Sequence, residues 1–309
     1  MCQVTVKQIR VYAPASIANL GPGFDVFGIA LDGVGDTVSL EVIPEVGVEI
    51  TASGDGSESI PVEAESNSAG AVALHVLEGR GLDHGFRIHI EKRVPVGKGM
   101  GSSGSSAAAT ALGVREILGL ELSQREYVHL AAVGEGAVSG SPHADNVAAS
   151  LLGGFTMVGH EYEVIRLDPP EVEMVVVLPD VYYENKTRLA RSLLPEKVGL
   201  REAVLNVGYA SRMVAAVAVG DPVLFGRSIN DHLIEPYRAE MIPNFWKVKQ
   251  AALDAGAYGC SIAGGGPSLF AVGENSEEIG EAMAEAFGEA DVDSKIVLTR
   301  PSGLGARVI

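Results

Sequence analysis

The chain has 309 residues, of which 47% are hydrophobic and 20% are charged, enough apolar material for one large core or two ordinary ones. Its net charge of −17, from 23 basic and 40 acidic residues, argues against nucleic acid as a partner, because phosphate backbones are bound by clustered lysine and arginine. The two cysteines lie far apart and no secretory leader precedes them, which predicts a protein of the reducing cytoplasm. No apolar run reaches the ~18 to 20 residues needed to cross a bilayer, so we expect a soluble protein that does not enter a membrane.

The first half of the chain is predicted to be rich in strands. Alternating or β-branched residues between turn residues predict strands at 9–12, 36–42, 46–51, 86–90 and 155–158. Helical spacing predicts helices at about 68–80, 102–118 and 123–138. Ser123 and Glu126 form the pattern of a capping box, which fixes the start of the third helix.

The second half begins with a continuous apolar run, 173–178, which is typical of a buried strand. Helices at 199–219, 221–232 and 244–255 follow, then strands at 257–263 and 267–272, a helix at 276–288 and a strand at 295–298. This order resembles an elaborated ferredoxin-like unit. Polar residues and Pro169-Pro170 place the boundary between two closely packed domains near 160–170.

A glycine-rich loop, PVGKGMGSSGSSAAA at 95–109, runs directly into a helix of small residues. Its glycines at 97, 99, 101 and 104 allow positive φ and close approach to a ligand. We expect the serines that follow to cap the helix, whose first N–H groups have no internal partner. Those donors and the positive end of the helix dipole favour a phosphate, so the loop predicts a nucleoside triphosphate site.

The loop has three other interpretations. A P-loop is not supported, because Gly97-Lys98 is followed by glycine and not by serine or threonine. Gly99, Gly101 and Gly104 spell GxGxxG, and Glu121 lies about 20 residues on, as a dinucleotide-binding fold requires. A lone GxGxxG is a weak signal, and a plain glycine-serine turn rarely needs so many glycines and hydroxyls together.

Two further segments change the interpretation, PASIANLGPGFD at 14–25 and CSIAGGGPSLFA at 260–271. Together with the 95–109 loop, they resemble the three signature motifs of the GHMP kinases, in the family's order and across both halves of the chain. PASIANLGPGFD and SGSPHADN at 139–146 look most like the branch that phosphorylates the hydroxyl of L-homoserine with ATP, towards threonine. The resemblance implies an α+β fold, with an N-terminal mixed α/β domain (1–165) and a ferredoxin-like C-terminal domain (166–309).

The resemblance also implies ATP and Mg²⁺ as cofactors. Ser103 matches the position at which the family's hydroxyl meets Mg²⁺, and Glu135 would complete a pair of hard oxygen ligands. Taken alone, the pattern around Glu135 favours an exposed helix carboxylate, and the resemblance favours the metal ligand. Lys98 is expected either to touch a phosphate or to point into solvent. The predicted nucleotide-binding residues are Asn67, Pro95, Val96, Gly97, Lys98, Gly99, Met100, Gly101, Ser102, Ser103, Gly104 and Ser105. Asn67 opens a helix that the family uses for adenine, but whose apolar positions suit a core equally well.

An amino-acid acceptor presents a carboxylate, an ammonium and a hydroxyl, and the chain offers a complement for each. Arginine forks hold carboxylates best, and Arg191 and Arg238 resemble the family's carboxylate clamps. Asp25 is predicted to pair with the ammonium or to approach the hydroxyl, which Asn19 would orient. His143 is either a substrate contact or structural.

Thr187, four residues before Arg191, is predicted to add a hydroxyl contact near the transferred phosphate. We therefore assign Asn19, Asp25 and Thr187 to catalysis, with no general base required by the resemblance; Asp25 as a base would need to lie within ~3.2 Å of the attacking oxygen. The Gly264–Pro267 segment is predicted to shape the site beside the phosphate loop, or to form a plain hairpin turn.

Rival functions remain within the family. Mevalonate or another hydroxy acid also presents a carboxylate and a hydroxyl, but it gives no reason for an acid opposite an amine. A ligand-binding relative without turnover would not need the magnesium pair. We expect a small-molecule substrate, no nucleic acid, no membrane and possible homodimers.

Overall fold

The computed structural model describes residues 7–140, 143–183 and 186–309, with the side chains of Ser139 and Thr187 outside the description. Its first half contains strands β1 (Gln8–Asn19), β2 (Gly23–Ile43), β3 (Val48–Gly54), β4 (Gly85–Lys92), β5 (Phe155–Val158) and β6 (Val164–Leu167), and helices α1 (Ser68–Arg80), α2 (Ser102–Leu118), α3 (Gln124–Ser139) and α4 (Asp145–Leu152). Short 3₁₀ turns lie at Ser57–Ser59, Ala64–Ser66 and His160–Tyr162.

The second half contains four central strands and their covering helices. The strands are β7 (Glu173–Pro179), β8 (Gly259–Ile262), β9 (Leu269–Gly273) and β10 (Ser294–Thr299), followed by the short β11 (Arg307–Val308). The helices are α5 (Lys186–Ser192), α6 (Leu200–Val219), α7 (Pro222–Arg227), α8 (Glu235–Arg238), α9 (Phe245–Asp254) and α10 (Ser276–Gly288), with a 3₁₀ turn at Ala239–Met241.

The first sheet has the order β11-β1-β2-β4-β3, and β5 pairs with β2 and with β6. Alternation explains its covered face: Phe86, Ile88 and Ile90 of β4 are fully buried, while Arg87 and His89 between them are exposed. The small-residue helix α2 packs against β1 and β2, and α1 and α3 pack on α2. The N-terminal end of α2 is thereby fixed close to the end of β4.

The second sheet has the order β10-β7-β9-β8, and its strands β7, β9 and β8 are buried on both faces, whereas the edge strand β10 is partly exposed. Val175 and Val177 of β7 point into a core shared with α9 and α10, while Val176 points into a core that also contains Ile17 and Ile29 of the first sheet. This double burial explains why the residues after the exposed Glu173, 174–178, form a continuous apolar run. The apolar cluster shared by the two sheets joins the two halves of the chain.

The predicted α+β class and the ferredoxin-like order are confirmed, but several elements differ. The helix predicted at 221–232 was wrong beyond Arg227, because the Asp231 carboxylate accepts the backbone N–H groups of residues 233–235 and starts a new short helix. Sequence reasoning missed α4, α5, α8, β6 and β11. Strand β6 (Val164–Leu167) spans the predicted division at 165 and pairs within the first sheet, and β11 near the end of the chain pairs with β1 of that sheet. The division of the chain into two domains at 165 therefore remains a prediction.

Helix α6 is long and apolar enough to span a bilayer by length and composition, with a mean hydropathy of 1.2. Such a helix alone is weak evidence for a membrane span. The α6 helix is tied to the rest of the fold by Met213 in the inter-sheet core and by Asn206, whose side-chain amide donates to the carbonyl of Pro22 at 2.8 Å.

Candidate active site

Three of the four glycines in the loop adopt the positive φ that the sequence predicts, whereas Gly104 lies inside helix α2 and does not. Gly97, Gly99 and Gly101 have φ of +72°, +83° and +68°, a region that other residues enter at a cost. Gly101 is the N-cap of α2, and in the described part of the chain no side chain accepts a hydrogen bond from the first turn of α2. The expectation that serines cap this helix was therefore wrong. The first amides of α2 stay available to an anion.

The serines anchor the loop to its surroundings instead. The hydroxyl of Ser102 donates to the Val94 carbonyl at 3.2 Å, and that of Ser105 donates to the Ala13 carbonyl at 2.9 Å. Each bond links the start of α2 to a neighbouring strand or loop. The loop is thus held from outside, and its amides are not consumed by its own hydroxyls.

The predicted magnesium pair is assembled at this end of the site. Ser103 Oγ donates to Glu135 Oε2 at 2.7 Å, although the two residues lie on different helices. Burial raises the pKa of Glu135, so a cation beside this carboxylate would favour its charged form. Among the described residues no cluster of three or more His, Cys, Asp or Glu is placed to hold a metal. Two protein oxygens fit Mg²⁺, which keeps water and substrate phosphates as its other ligands.

The predicted acceptor residues meet near the junction of β1 and β2. Asn19 Oδ1 accepts the backbone N–H of Asp25 at 3.0 Å, and both residues have positive φ, which Asn and Asp tolerate better than most side chains. Arg191 Nη2 donates to both oxygens of the Asp25 carboxylate, at 2.9 and 3.0 Å. His143 Nδ1 lies 3.6 Å from Asp25 Oδ2, and burial lowers the pKa of this histidine. Segments far apart in sequence thus converge on one carboxylate.

Arg238 is the least satisfied cation of this cluster. It is only 5% exposed, its Nη1 donates to the Gly264 carbonyl at 3.2 Å, and its guanidinium lies 5.0 Å from the ring centroid of Phe24. Its Nε is buried without a hydrogen-bond partner among the described residues. An orphaned buried donor on a guanidinium is costly unless a ligand satisfies it. Arg238 is therefore suited to bind an anion.

One cavity of about 670 Å³ joins the predicted magnesium end, at Ser103 and Glu135, to the predicted acceptor end, at Asp25 and Arg238. Most of the predicted site residues line it: Asn19, Asp25, Asn67, Val96, Gly97, Gly99, Gly101, Ser102, Ser103, Glu135, His143, Arg191 and Arg238. The volume suits a small ligand beside a nucleotide. The binding roles of these residues remain predictions.

Comparison with known proteins identifies the family. Residues 67–154 match the GHMP kinases N terminal domain, and residues 195–289 match the GHMP kinases C terminal domain. The homoserine kinase of Methanocella arvoryzae is 42% identical over 306 residues, 98% of each chain, and that of Pyrococcus abyssi is 41% identical over 96% of this chain and 98% of that protein. The chain belongs to the GHMP kinase family. The predicted family is thus confirmed.

Solved structures agree with this GHMP kinase fold. The crystal structure of homoserine kinase from Cytophaga hutchinsonii has a TM-score of 0.90 and 37% sequence identity, and the match covers 99% of both chains. Mevalonate kinase from L. major has a TM-score of 0.72 but only 16% identity, over 97% of this chain and 98% of that one, so that likeness shows the fold alone.

Five predicted nucleotide-binding residues of this GHMP kinase do not line the cavity: Pro95, Lys98, Met100, Gly104 and Ser105. Lys98 points neither to a phosphate nor freely into solvent, because its Nζ donates to the carbonyls of Pro179 and Val181 at 2.8 and 3.0 Å. Met100 is fully buried in the inter-sheet core. The side chains of Lys98 and Met100 thus hold the loop against the rest of the protein, and only the backbone of these two residues remains available for a phosphate.

Asn67 also has a structural task that the sequence analysis did not assign. Its Oδ1 accepts the N–H groups of Ala69 and Gly70, at 2.9 and 3.2 Å, as the N-cap of α1. Its side-chain nitrogen donates to the Pro61 carbonyl at 2.7 Å. Thr187 lies in α5, but its side chain is outside the described part, so its predicted contact stays a prediction.

Sequence reasoning missed four charged residues in the cavity wall: Lys92, Asp145, Lys186 and Arg188. Burial raises the pKa of Asp145 to about 7 and lowers that of Lys186 to about 8. Lys186 adjoins the predicted Thr187, and Asp145 lies within SGSPHADN, so both residues are close in sequence to positions that the motifs had already identified. Neither pattern shows which way the side chain turns.

The third motif touches the glycine loop where Gly99 meets Ala263. A Cβ on Gly99 would lie 2.1 Å from the Ala263 carbonyl oxygen, whereas a Cβ on Gly97 would meet nothing within 4 Å. We expect Gly97→Ala to lower the free energy of unfolding by about 1–2 kcal/mol, from its positive φ alone. Gly99→Ala should lose clearly more than Gly97→Ala and should also weaken MgATP binding. Denaturant unfolding and calorimetry measure both, and equal losses of stability would show that the contact is not tight.

Proposed function

We propose that this chain phosphorylates the side-chain hydroxyl of L-homoserine with ATP, giving O-phospho-L-homoserine and ADP, a step of threonine biosynthesis. The observation that carries the proposal is the acceptor end of the cavity. There Arg238 Nε is buried without a partner among the residues that the structure describes, and Arg191 is paired with Asp25. The end thus offers guanidinium groups for a carboxylate and a carboxylate for an ammonium. The homoserine kinases at 41–42% identity over nearly the whole chain support the same substrate.

Each part of the reaction has residues suited to it. Phosphoryl transfer needs alignment and charge stabilisation more than covalent help from the protein. The open amides at the start of α2 would hold the phosphates, and Asn19, fixed by its bonds to Asp25 and to the Gly264 carbonyl, would orient the acceptor hydroxyl. Ser103 and Glu135 would hold Mg²⁺, which when bound neutralises phosphate charge.

Asp25 fits the role of ammonium partner better than that of general base. Both oxygens of its carboxylate already accept a hydrogen bond from Arg191, which occupies part of the acceptor capacity that a general base would use. The hydroxyl proton would then leave to the phosphate oxygens without a protein base. Cytoplasmic location and homodimers stay among our proposals.

The substrate is tested with purified protein, MgATP and four alcohols: L-homoserine, L-serine, mevalonate and shikimate. ADP release is followed continuously, and phosphorus NMR identifies the phosphomonoester. We expect turnover with L-homoserine and kcat/KM at least about tenfold lower for the others, since each lacks one of the matched groups or spacings. Preference for mevalonate would contradict the proposal, and ligand binding without ADP release would favour a non-catalytic relative.

A further inference from the structure

The Lys186 ammonium lies between the two glycine segments that contribute to the cavity wall, 97–101 and 264–266, and we call this position the seam. It is the first residue of α5, the short helix that also carries Arg191, and its Nζ donates to the Gly266 carbonyl at 2.6 Å. The nearest atom to a Cβ placed on Gly265 would be this same Nζ, at 3.9 Å. The lysine therefore lies against the third motif, and it lines the cavity together with Ser103 and Glu135.

The other lysines near the glycine loop are already engaged. Lys98 is held by the carbonyls of Pro179 and Val181, and Lys92 is paired with the buried carboxylate of Asp36. In the described part of the chain the hydrogen bond made by Lys186 goes to a neutral carbonyl, and no carboxylate lies within the 4.0 Å of an ion pair. Its charge is thus incompletely balanced by the protein and remains available to an anionic ligand.

The charges around Lys186 locate that anion. Glu135 is the carboxylate that stabilises its ammonium, and Arg238 is the strongest of the cations that oppose it. Glu135 belongs to the magnesium pair and Arg238 to the acceptor end, so Lys186 lies within electrostatic reach of both. In a transfer from ATP to a bound alcohol, the group between these two ends is the γ-phosphoryl.

We propose that the Lys186 ammonium contacts the transferred phosphoryl group and stabilises the charge on its equatorial oxygens; this role rests on the proposed function. In that step the bond from the γ-phosphorus to the bridging oxygen breaks, and its electron pair stays on ADP. The acceptor oxygen forms the new bond to phosphorus, and its proton leaves to the product phosphate. Lys186 stays protonated throughout and only donates hydrogen bonds.

The test compares Lys186→Met with Lys295→Met, which removes the same charge from an exposed position of β10 outside the cavity. We expect Lys186→Met to lower kcat by about 10²–10³-fold, with the KM for L-homoserine changed by less than about threefold. Calorimetry should show MgADP affinity nearly unchanged. The affinity for MgADP with aluminium fluoride, a mimic of the phosphoryl group in transfer, should fall by about the same 10²–10³-fold. Lys295→Met should match the wild type throughout.

A kcat of Lys186→Met within about threefold of the wild type would overturn the inference. Equal losses of affinity for MgADP and for MgADP with aluminium fluoride would overturn it as well. If Lys186→Met does not fold, Lys186→Arg and Lys186→Gln replace it, and arginine should retain at least about tenfold more kcat than glutamine. A measurement on the wild type is independent of folding: MgADP with aluminium fluoride should protect Lys186 from amine acetylation, read by peptide mass spectrometry, and MgADP alone should not. Since this readout needs no acceptor, it stands even if homoserine is not the substrate.

Discussion

Replacing Arg238 with methionine is expected to raise the KM for L-homoserine by about 10²–10³-fold and to leave kcat within about tenfold of the wild type. The reason is the buried position of this guanidinium, which is 5% exposed and has no partner at Nε in the described part of the chain. A substrate carboxylate would complete its hydrogen bonds in a desolvated pocket, where charge-assisted bonds are strong. Steady-state kinetics at saturating MgATP measures the effect.

A substrate lacking the carboxylate is the matched control for this variant. The wild type should use 3-aminopropan-1-ol poorly, and Arg238→Met should lose little further with that alcohol, because the interaction it removes is already absent. An equal loss with both alcohols would contradict carboxylate binding and assign Arg238 to the phosphate or to structure. Arg238→Lys should recover only part of the affinity, since an ammonium lacks the planar fork.

Removing the Lys92 ammonium is expected to lower the free energy of unfolding by about 3–5 kcal/mol, because the Asp36 carboxylate would be left buried without its cation. The side chains of Lys92 and Asp36 are 2% and 0% exposed. Lys92 Nζ also donates to the Ser102 carbonyl at 2.9 Å, and Asp36 Oδ1 accepts the Arg93 and Val94 N–H groups, both at 2.9 Å. The pair thus fixes both ends of the glycine loop.

Denaturant unfolding of Lys92→Met measures this loss, and MgATP affinity should fall with it because the loop loses its anchor. The double variant Lys92→Met with Asp36→Asn should cost less than the sum of the single variants, since no uncompensated charge remains. The control is Lys247→Met, which breaks an exposed pair with Glu289 and should cost less than about 1 kcal/mol. Equal losses for Lys92→Met and Lys247→Met would show that the buried pair contributes no more than a surface pair.

The two members of this buried pair illustrate how far sequence patterns reach. Lys92 follows Phe86, Ile88 and Ile90 at a spacing of two, so alternation alone places it on the covered face of β4. Asp36 precedes Val38 and Leu40 on β2 in the same way. Both buried charges could be found from the sequence. That they meet depends on the register of β2 with β4, which pairs Thr37 with Glu91 and is set by the whole sheet.

The residues of the acceptor cluster were predicted from motifs and not from the alternation of buried residues along a strand. Asn19, Asp25, His143, Arg191 and Arg238 were all predicted through resemblance to the family, and the structure brings them together. Residues outside the quoted motifs, such as Lys186, were missed. Their position depends on how α5 packs against the Gly264–Gly266 segment, for which the sequence has no local signal.

The sequence by itself determined the glycine loop, the helix that follows it, the alternation of the strands and the family. These features depend on local backbone preferences and on side-chain periodicity, which are properties of neighbouring residues. Only the tertiary structure decided that Lys186 lines the cavity and that Lys98 does not. Lys98, inside the motif, is turned to the carbonyls of Pro179 and Val181, while Lys186 occupies the seam. The physical reason is that a long cationic side chain goes where distant backbone oxygens and charges best satisfy it, and folding alone places those groups.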